Sequence, residues 1–394
     1  MDRIGVGHFY ATDQHKANVM DVLNSHRLSY GPYSKKFENI FAELHGVKFA
    51  AFCNSGTSAL QIAVATLKET EQWNEGDEIL CPALTFVASS NVIIMNNMHP
   101  VFVDVEEEYY GIDPQKIEEK ITPRTKAIMV VHLFGQPCDM DSIMNIATKY
   151  NLKIIEDSCE TMYASYKGKP VGSFGDISCF STYVAHLLVT GVGGFVCTNK
   201  PEYARLNKSL INHGRDNIYL SIDDDKGKSK EELKEIIKRR FKFIRLGYSY
   251  RATEMEAALG LAELERREMD LVNRKEQAEF LLRELSDLSE YLRLPKVREG
   301  ATHSFMMFPI VLKNPNVTKE NLVYFLEENG IETRDMLPLI NQPFYIEKYG
   351  ELESKYPITA HINKNGFYIG CHPGLTRENL AFIVSKFREF FAKN

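Results

Sequence analysis

The sequence lacks the marks of a membrane, nucleic-acid or disulfide protein. No apolar run reaches the roughly 18 residues that a membrane-spanning helix needs. The opening MDRIGVGHFY has no apolar stretch of the kind that begins a secretory signal. The net charge is only −6, so no basic field points to nucleic acid or anionic lipid. The cysteines, Cys53, Cys81, Cys138, Cys159, Cys179, Cys197 and Cys371, include no C-x-x-C pair and no ligand cluster. Several stand inside apolar runs (AAFC, EILC, ISCF, GFVC), which reads as buried thiols in a reducing compartment, not as metal ligands. Internal repeats and low-complexity tracts are missing as well. The expectation is a cytoplasmic globular protein with no metal, no nucleic acid and no membrane partner. Its 394 residues, 44% hydrophobic and 25% charged, are enough for two domains and a large core.

What is present alternates. A polar helix near 13–24 leads to the turn Leu28-Ser29-Tyr30-Gly31-Pro32 and a helix over 34–45 with Phe37, Ile40, Phe41 and Leu44 on one face. Apolar runs at 49–53, 78–81, 100–105, 127–131, 154–155 and 177–180 are separated by helical stretches. Six or seven strands over 48–200 predict a mixed, mostly parallel seven-stranded α/β sheet with helices on both faces. The charged segment 221–240 reads as a surface insertion or exposed helix. A long amphipathic helix, about 252–288, carries Met255, Ala258, Leu259, Leu261, Leu264 and Leu271. It marks the passage from a large domain, 1–255, to a small α+β domain, 256–394. The small domain is expected to hold strands at 306–312 and 366–370 and helices at 319–329 and 377–392.

Chemistry concentrates in 153–198. Ile154 and Ile155 run into Glu156 and Asp157; a turn with Gly172 and Gly175 precedes a second apolar run that stops at Ser181. A polar loop then carries His186 to Gly193 and Gly194. Carboxylates and a hydroxyl at strand ends are how an α/β sheet presents chemistry at its edge. Upstream, Asn54-Ser55-Gly56-Thr57-Ser58 breaks strand 49–53 before a helix. Such a turn leaves backbone N–H groups and a helix dipole free for an anion, and taken alone it reads as a plain N-cap. Phe86, in Thr85-Phe86-Val87-Ala88, could be a core residue, and His132 a satisfied structural histidine.

With these motifs in this order from about Ser29 to Phe390, the chain resembles the DegT/DnrJ/EryC1/StrS sugar aminotransferases. Those are pyridoxal 5′-phosphate (PLP) enzymes of the aspartate aminotransferase type I fold. The resemblance implies that Asp157 keeps the pyridine nitrogen protonated, Gly56, Thr57 and Ser181 hold the phosphate, and Phe86 stacks on the ring. It also implies a homodimer with a shared active site. The family motif G-Y-N-Y-R, given by the partner subunit, is here Gly247-Tyr248-Ser249-Tyr250-Arg251, so Ser249 replaces the phosphate-binding Asn.

Two departures decide the expected reaction. The Schiff-base lysine, five residues after the serine, is His186, an exchange found in a branch that resembles the GDP-4-keto-6-deoxymannose 3-dehydratases. The flanks Val184-Ala185 and Gly191-Val192-Gly193-Gly194 also differ from the transaminases, unlike a single engineered change. Glu160 stands where transaminases commonly have Gln. An imidazole cannot hold PLP covalently, but an ordinary pKa of about 6.5 suits it to proton transfer. The resemblance therefore implies non-covalent pyridoxamine 5′-phosphate (PMP) and loss of the C3 hydroxyl from a nucleotide-activated 4-keto-6-deoxyhexose. His186 would be the acid/base, Glu160 would assist the proton or hold the sugar, and glutamate would regenerate PMP. An iron–sulfur reductant is not expected, because H-G-R-D-N-I-Y at 213–219 has no cysteine. Arg334, in I-E-T-R, is a candidate for the anionic part of glutamate or nucleotide, or a surface arginine. His372 is a candidate near the sugar pocket. Two other readings stay open: a nucleotide-sugar 4-aminotransferase in which His186 or another base takes the lysine's role, since Lys167 and Lys169 precede the loop and match family surface positions, and a non-catalytic PLP-binding protein.

Overall fold

The computed structural model describes residues 3–217, 225–313 and 316–393. Helices α1 (Asp13–Asn24) and α2 (Pro32–Leu44) come first. Thr12 opens α1 with a capping box closed by His15, and Pro32 supplies the preset φ of the first turn of α2. There follow β1 (Phe49–Cys53), α3 (Gly56–Thr70), β2 (Glu78–Pro82), α4 (Val87–Met95), β3 (His99–Val103) and β4 (Thr125–Val131). Next come α5 (Met140–Tyr150), β5 (Lys153–Asp157), the short ribbon β6 (Ser165–Tyr166) and β7 (Lys169–Pro170), β8 (Ile177–Ser181), β9 (Gly194–Thr198) and α6 (Pro201–Ile211).

The seven longer strands form one sheet in the order β1-β9-β8-β5-β4-β2-β3. Strands β3, β2, β4, β5 and β8 run parallel, while β9 runs antiparallel to both β8 and β1. The expected mostly parallel seven-stranded α/β sheet is the observed one. Its central strands are buried on both faces, which is why β4 reads as the unbroken apolar run AIMVV. The carboxyl ends of β1, β2, β4, β5 and β8 all reach the same edge, where helices begin and loops gather.

Beyond α6, α7 (Lys230–Arg239) is a surface helix held by a Ser229–Glu232 capping box, with Ile236 its buried residue. Residues 221–224 of the charged insertion, and Ile218 and Tyr219 of the H-G-R-D-N-I-Y run, lie outside the described residues. Helix α8 (Glu254–Glu284) then passes between two cores. Ala257, Leu261 and Leu264 pack with Phe37 and Phe41, whereas Ala278 and Leu281 pack with Phe308 and Phe387. The second core backs a four-stranded antiparallel sheet, ordered β10-β11-β13-β12, of β10 (Leu292–Arg293), β11 (Met307–Leu312), β12 (Thr333–Asp335) and β13 (Gly366–Gly370). Helices α9 (Lys319–Glu328) and α12 (Arg377–Lys393) complete this core, whereas α10 (Pro343–Tyr349) and α11 (Pro357–Asn365) put Tyr345 and Ile362 into the core of the larger sheet. The N-terminal arm belongs to the second core too: Ile4 bridges to Ile331, and the Ile4 N–H donates to the Gly330 carbonyl at 2.8 Å.

Two buried carboxylates fix how these parts meet. Asp104, just after β3, accepts from the Ile358 and Thr359 N–H groups at 3.0 and 2.9 Å, so it caps the first turn of α11 from across the molecule. Glu254 accepts from the N–H groups of Gly31, Tyr33 and Ser34 at 2.7, 2.9 and 2.9 Å, tying the start of α8 to the start of α2. Glycine at 31 lets these groups close up, since a Cβ would stand 2.6 Å from Arg27 Nε and 2.8 Å from Glu254 Oε2 and would displace both side chains. Replacing Glu254 with Ala strands these donors, and unsatisfied buried donors each cost about 1–3 kcal/mol. Glu254→Ala is expected to lower the stability read from urea denaturation by about 3 kcal/mol, and Glu254→Gln by less.

Candidate active site

At the shared strand edge lies a cleft of about 340 Å³, with the end of the small unit's sheet as its far wall. Gly56, Thr57, Phe86, Asp157, Glu160, Ser181 and His186 all line it. The structure thus brings together seven residues separated by as much as 130 positions in sequence.

The floor is built by a close approach. A Cβ on Gly56 would stand 2.7 Å from Ser181 Cβ and 2.8 Å from Cys159 Sγ, so the missing side chain lets the start of α3 close on the end of β8. Ser55 caps α3 by accepting from the Ser58 N–H at 3.0 Å, so the N-cap role is present alongside any other. The positive end of the helix, the Thr57 hydroxyl and the Ser181 hydroxyl together make a donor set suited to a phosphate. Phe86, at the N-cap of α4, is 56% exposed and lines the cleft. An aromatic ring left this open offers a flat apolar wall to a planar ligand.

The buried end of the cleft is acidic. Asp157 accepts from Ser89 Oγ at 2.7 Å and from the Cys159 N–H at 3.2 Å, and desolvation raises its pKa. A carboxylate this buried favours a cationic ring N–H as partner. Ser89 in turn bonds Thr85 Oγ1 at 2.8 Å, and both side chains line the cleft.

His186 and Glu160 face the same space with opposite perturbations. His186 is half-buried; its Nδ1 lies 3.2 Å from the Ser181 carbonyl and so carries the proton, leaving Nε2 as the basic atom. Burial pushes its pKa down to about 4, the Ser181 bond opposes this, and the Arg274 charge adds to the lowering. Glu160 accepts weakly from the Phe134 N–H at 3.3 Å. Burial raises its carboxyl to about 8, with the charge of Asp157 adding to the rise. At neutral pH the site therefore holds a neutral imidazole and a protonated carboxylic acid, the two states that a base and an acid require.

The remaining candidates are placed elsewhere. Ser249 is exposed, its Oγ accepting from Arg251 Nη2 at 3.1 Å, and is not on the wall of its own chain's cleft. Arg334 sits on β12 opposite Tyr368 in register, donates to the Thr333 carbonyl at 2.7 Å and pairs with Glu332. From that sheet Tyr368 of β13 and Met307 of β11 reach the cleft. His372 is buried, bonded to the Gly5 carbonyl at 2.9 Å and stacked on His8 of the N-terminal arm, and does not line the cleft. His132 is a satisfied structural histidine: Nδ1 accepts from the Cys138 N–H at 3.1 Å and Nε2 meets Glu156 at 3.2 Å. Ser89, Thr85, Tyr183 and Tyr368 are cleft residues that the sequence reading did not single out. For Ser89 a signal existed, since it lies three residues after Phe86 at the start of one helix.

A phosphate-sized floor, an aromatic wall and a buried acid behind it define a PLP-type site on an aminotransferase-like α/β fold. The chain belongs to the DegT/DnrJ/EryC1/StrS aminotransferase family, which it matches over residues 10–388. It is 36% identical over 380 residues to the lipopolysaccharide biosynthesis protein RfbH of Salmonella typhimurium, covering 93% of this chain and 87% of that one. It is 35% identical over 383 residues to the GDP-perosamine synthase of Escherichia coli O157:H7, covering 97% and 96%. Its structure resembles E. coli GDP-4-keto-6-deoxy-D-mannose-3-dehydratase with bound hydrated PLP, with a TM-score of 0.86 and 25% identity over 98% and 99% of the two chains. The protein is thus an enzyme of the PLP-dependent sugar aminotransferase and dehydratase group. Among the described residues no helix is long and apolar enough to cross a membrane.

Two outcomes are expected. Gly56→Ala should weaken PLP binding at least tenfold in an absorbance titration, because the methyl forces apart the floor that would hold the phosphate. Glu160 contributes stability below its usual value of 4.5, which is lost as pH rises through about 8. Thermal unfolding at pH 5 and pH 8.5 should therefore show Glu160→Gln gaining on the unsubstituted protein at the higher pH.

Proposed function

We propose that the protein is a 3-dehydratase that removes the C3 hydroxyl of a nucleotide-activated 4-keto-6-deoxyhexose, with PMP as its non-covalent cofactor. The observation that carries this reading is His186 at the cleft, its tautomer set by the Ser181 carbonyl, in a chain with no lysine on the cleft wall among the described residues. When bound, PMP supplies the amine that condenses with the keto sugar and the ring that takes up electrons. Gly56, Thr57 and Ser181 bind its phosphate, Asp157 fixes the buried end of the ring, and Phe86 covers one face and excludes water. His186 receives a proton at Nε2. Glu160, protonated at neutral pH, gives its proton to the departing hydroxyl, which leaves as water.

Glutamate serves as amino donor, and no iron–sulfur cluster takes part. The working form is a cytoplasmic homodimer in which Ser249 of the partner subunit reaches the phosphate. The exposure of Phe241, Phe243 and Leu246 beside Ser249 supports that interface.

The second reading is a nucleotide-sugar 4-aminotransferase, favoured by the 35% identity to a GDP-perosamine synthase. Incubation with candidate 4-keto-6-deoxy sugar nucleotides and glutamate separates the two. Release of ammonia and 2-oxoglutarate with a 3-deoxy sugar is expected; a stable amino sugar would establish the second reading instead. Inertness with tightly bound cofactor would leave a PLP-binding protein without turnover. Borohydride should leave no covalent label on the unsubstituted protein. His186→Lys should acquire that label and lose at least a hundredfold in dehydration.

A further inference from the structure

His186 lines a second, smaller recess as well as the cofactor cleft. This recess has about 20 Å³ of space, and one water needs about 10–15 Å³ and two to four polar partners. Its polar lining comes from three parts of the chain: His186 itself, Glu263 and its neighbours on α8, and the N-terminal arm with His8 and Tyr10. Tyr10 is 64% exposed, so the arm is the solvent rim.

Glu263 is anchored to face this recess. Its Oε1 meets His15 Nε2 at 2.9 Å. Because His15 Nδ1 accepts from the Thr12 N–H at 3.2 Å, Nε2 carries the proton and donates to the carboxylate. Val189, three residues beyond His186 on the same loop, lines the same recess. The tie to α1 holds the carboxylate at a recess that the His186 loop also lines.

We propose that Glu263 is the group through which His186 exchanges its proton with solvent, across a single water seated in this recess. The proposal rests on the reading of His186 as the base. Glu263 is then a positioning residue, because it meets the reacting atoms only through His186. The imidazolium of His186 gives a proton to the water, which passes one of its own to the Glu263 carboxylate; Glu263 later releases it past the arm. No electron moves and no other reactant is needed.

The electrostatics run in that direction. Burial raises the Glu263 carboxyl to about 7, with Asp270 adding to the rise and Arg266, Arg274 and the Val189 N–H opposing it. His186, at about 4, gives up a proton readily to such a group. The groups facing Glu263 are Arg266, Asp270 and Arg274 from α8, His15 from α1, His186 from its loop, and His8 and Tyr10 from the arm. Glu263 is accordingly half-protonated near neutral pH, the condition in which it both takes and returns a proton.

Two measurements test this. The first is an NMR titration of protein labelled with ¹³C-histidine, with the His186 signal assigned by its loss in His186→Asn. That signal should shift in two steps, near pH 4 and near pH 7, and Glu263→Gln should abolish the upper step. A single step in the unsubstituted protein, or an unchanged upper step in Glu263→Gln, overturns the proposal whatever reaction the enzyme performs. The second is exchange of the C4′ hydrogen of bound PMP with deuterated water, read by mass spectrometry. Exchange in the unsubstituted protein, slowed tenfold or more in Glu263→Gln and restored in part by Glu263→Asp, is expected. Equal exchange rates in all three overturn the relay but leave His186 as the base. No exchange in the unsubstituted protein overturns His186 as the base, with the titration still judging Glu263. If Glu263→Gln does not fold, Glu263→Asp carries both tests, with a displaced upper step and a slower exchange expected.

Discussion

The close approach of Gly56 to Ser181 is the constraint from which the cleft follows. Strand β9 lies between β1 and β8 in the sheet, so the turn after β1 must reach over β9 to touch the end of β8. It does so because Gly56 has no side chain: the atoms that would meet its Cβ are 2.7 and 2.8 Å away. The helix N-terminus and the strand-end hydroxyl then point into one small volume. Any residue with a Cβ would push α3 off the sheet and separate the donors.

Above this floor, one region of low polarity moves an acid and a base in opposite directions. Desolvation disfavours charge, so it raises a carboxyl and lowers an imidazole. Glu160 and His186 share the cleft and are shifted to about 8 and about 4. The order of their ordinary values is reversed: at neutral pH the carboxyl is protonated, opposite to its state in water, and the imidazole is held neutral. The Ser181 carbonyl adds direction by choosing the nitrogen that carries the proton. Ser181 therefore contributes twice, with its hydroxyl toward the floor and its carbonyl toward the imidazole.

The sheet and the cleft residues were largely legible because their signals are local. Strands buried on both faces show as apolar runs, and residues at their ends follow at once in sequence; Asp157 and Ser181 stand out this way, whereas Phe86 is singled out only by the family resemblance. What was not legible depends on contacts across the chain. The reversed direction of β9 leaves no mark on its sequence, GFVCT. Tyr368 enters the cleft from a strand near the other end of the chain. Glu263 reads as one more charge on an amphipathic helix, and only the packing of α1 and the His186 loop against α8 gives it partners. His372 carries a family-like position, but the N-terminal arm, whose pairing with the small unit no pattern announces, covers it.

Asp104 has a further significance. Through α11 it grips the unit that carries Tyr368 and Leu337, and those two side chains line the cleft. The spacing between the sheet edge and those side chains therefore answers to a carboxylate outside the cleft lining. The fold works as a caliper whose set screw is a helix cap at the back of the molecule. A change at that screw can move one jaw and leave Glu160, His186 and the Gly56–Ser181 floor untouched.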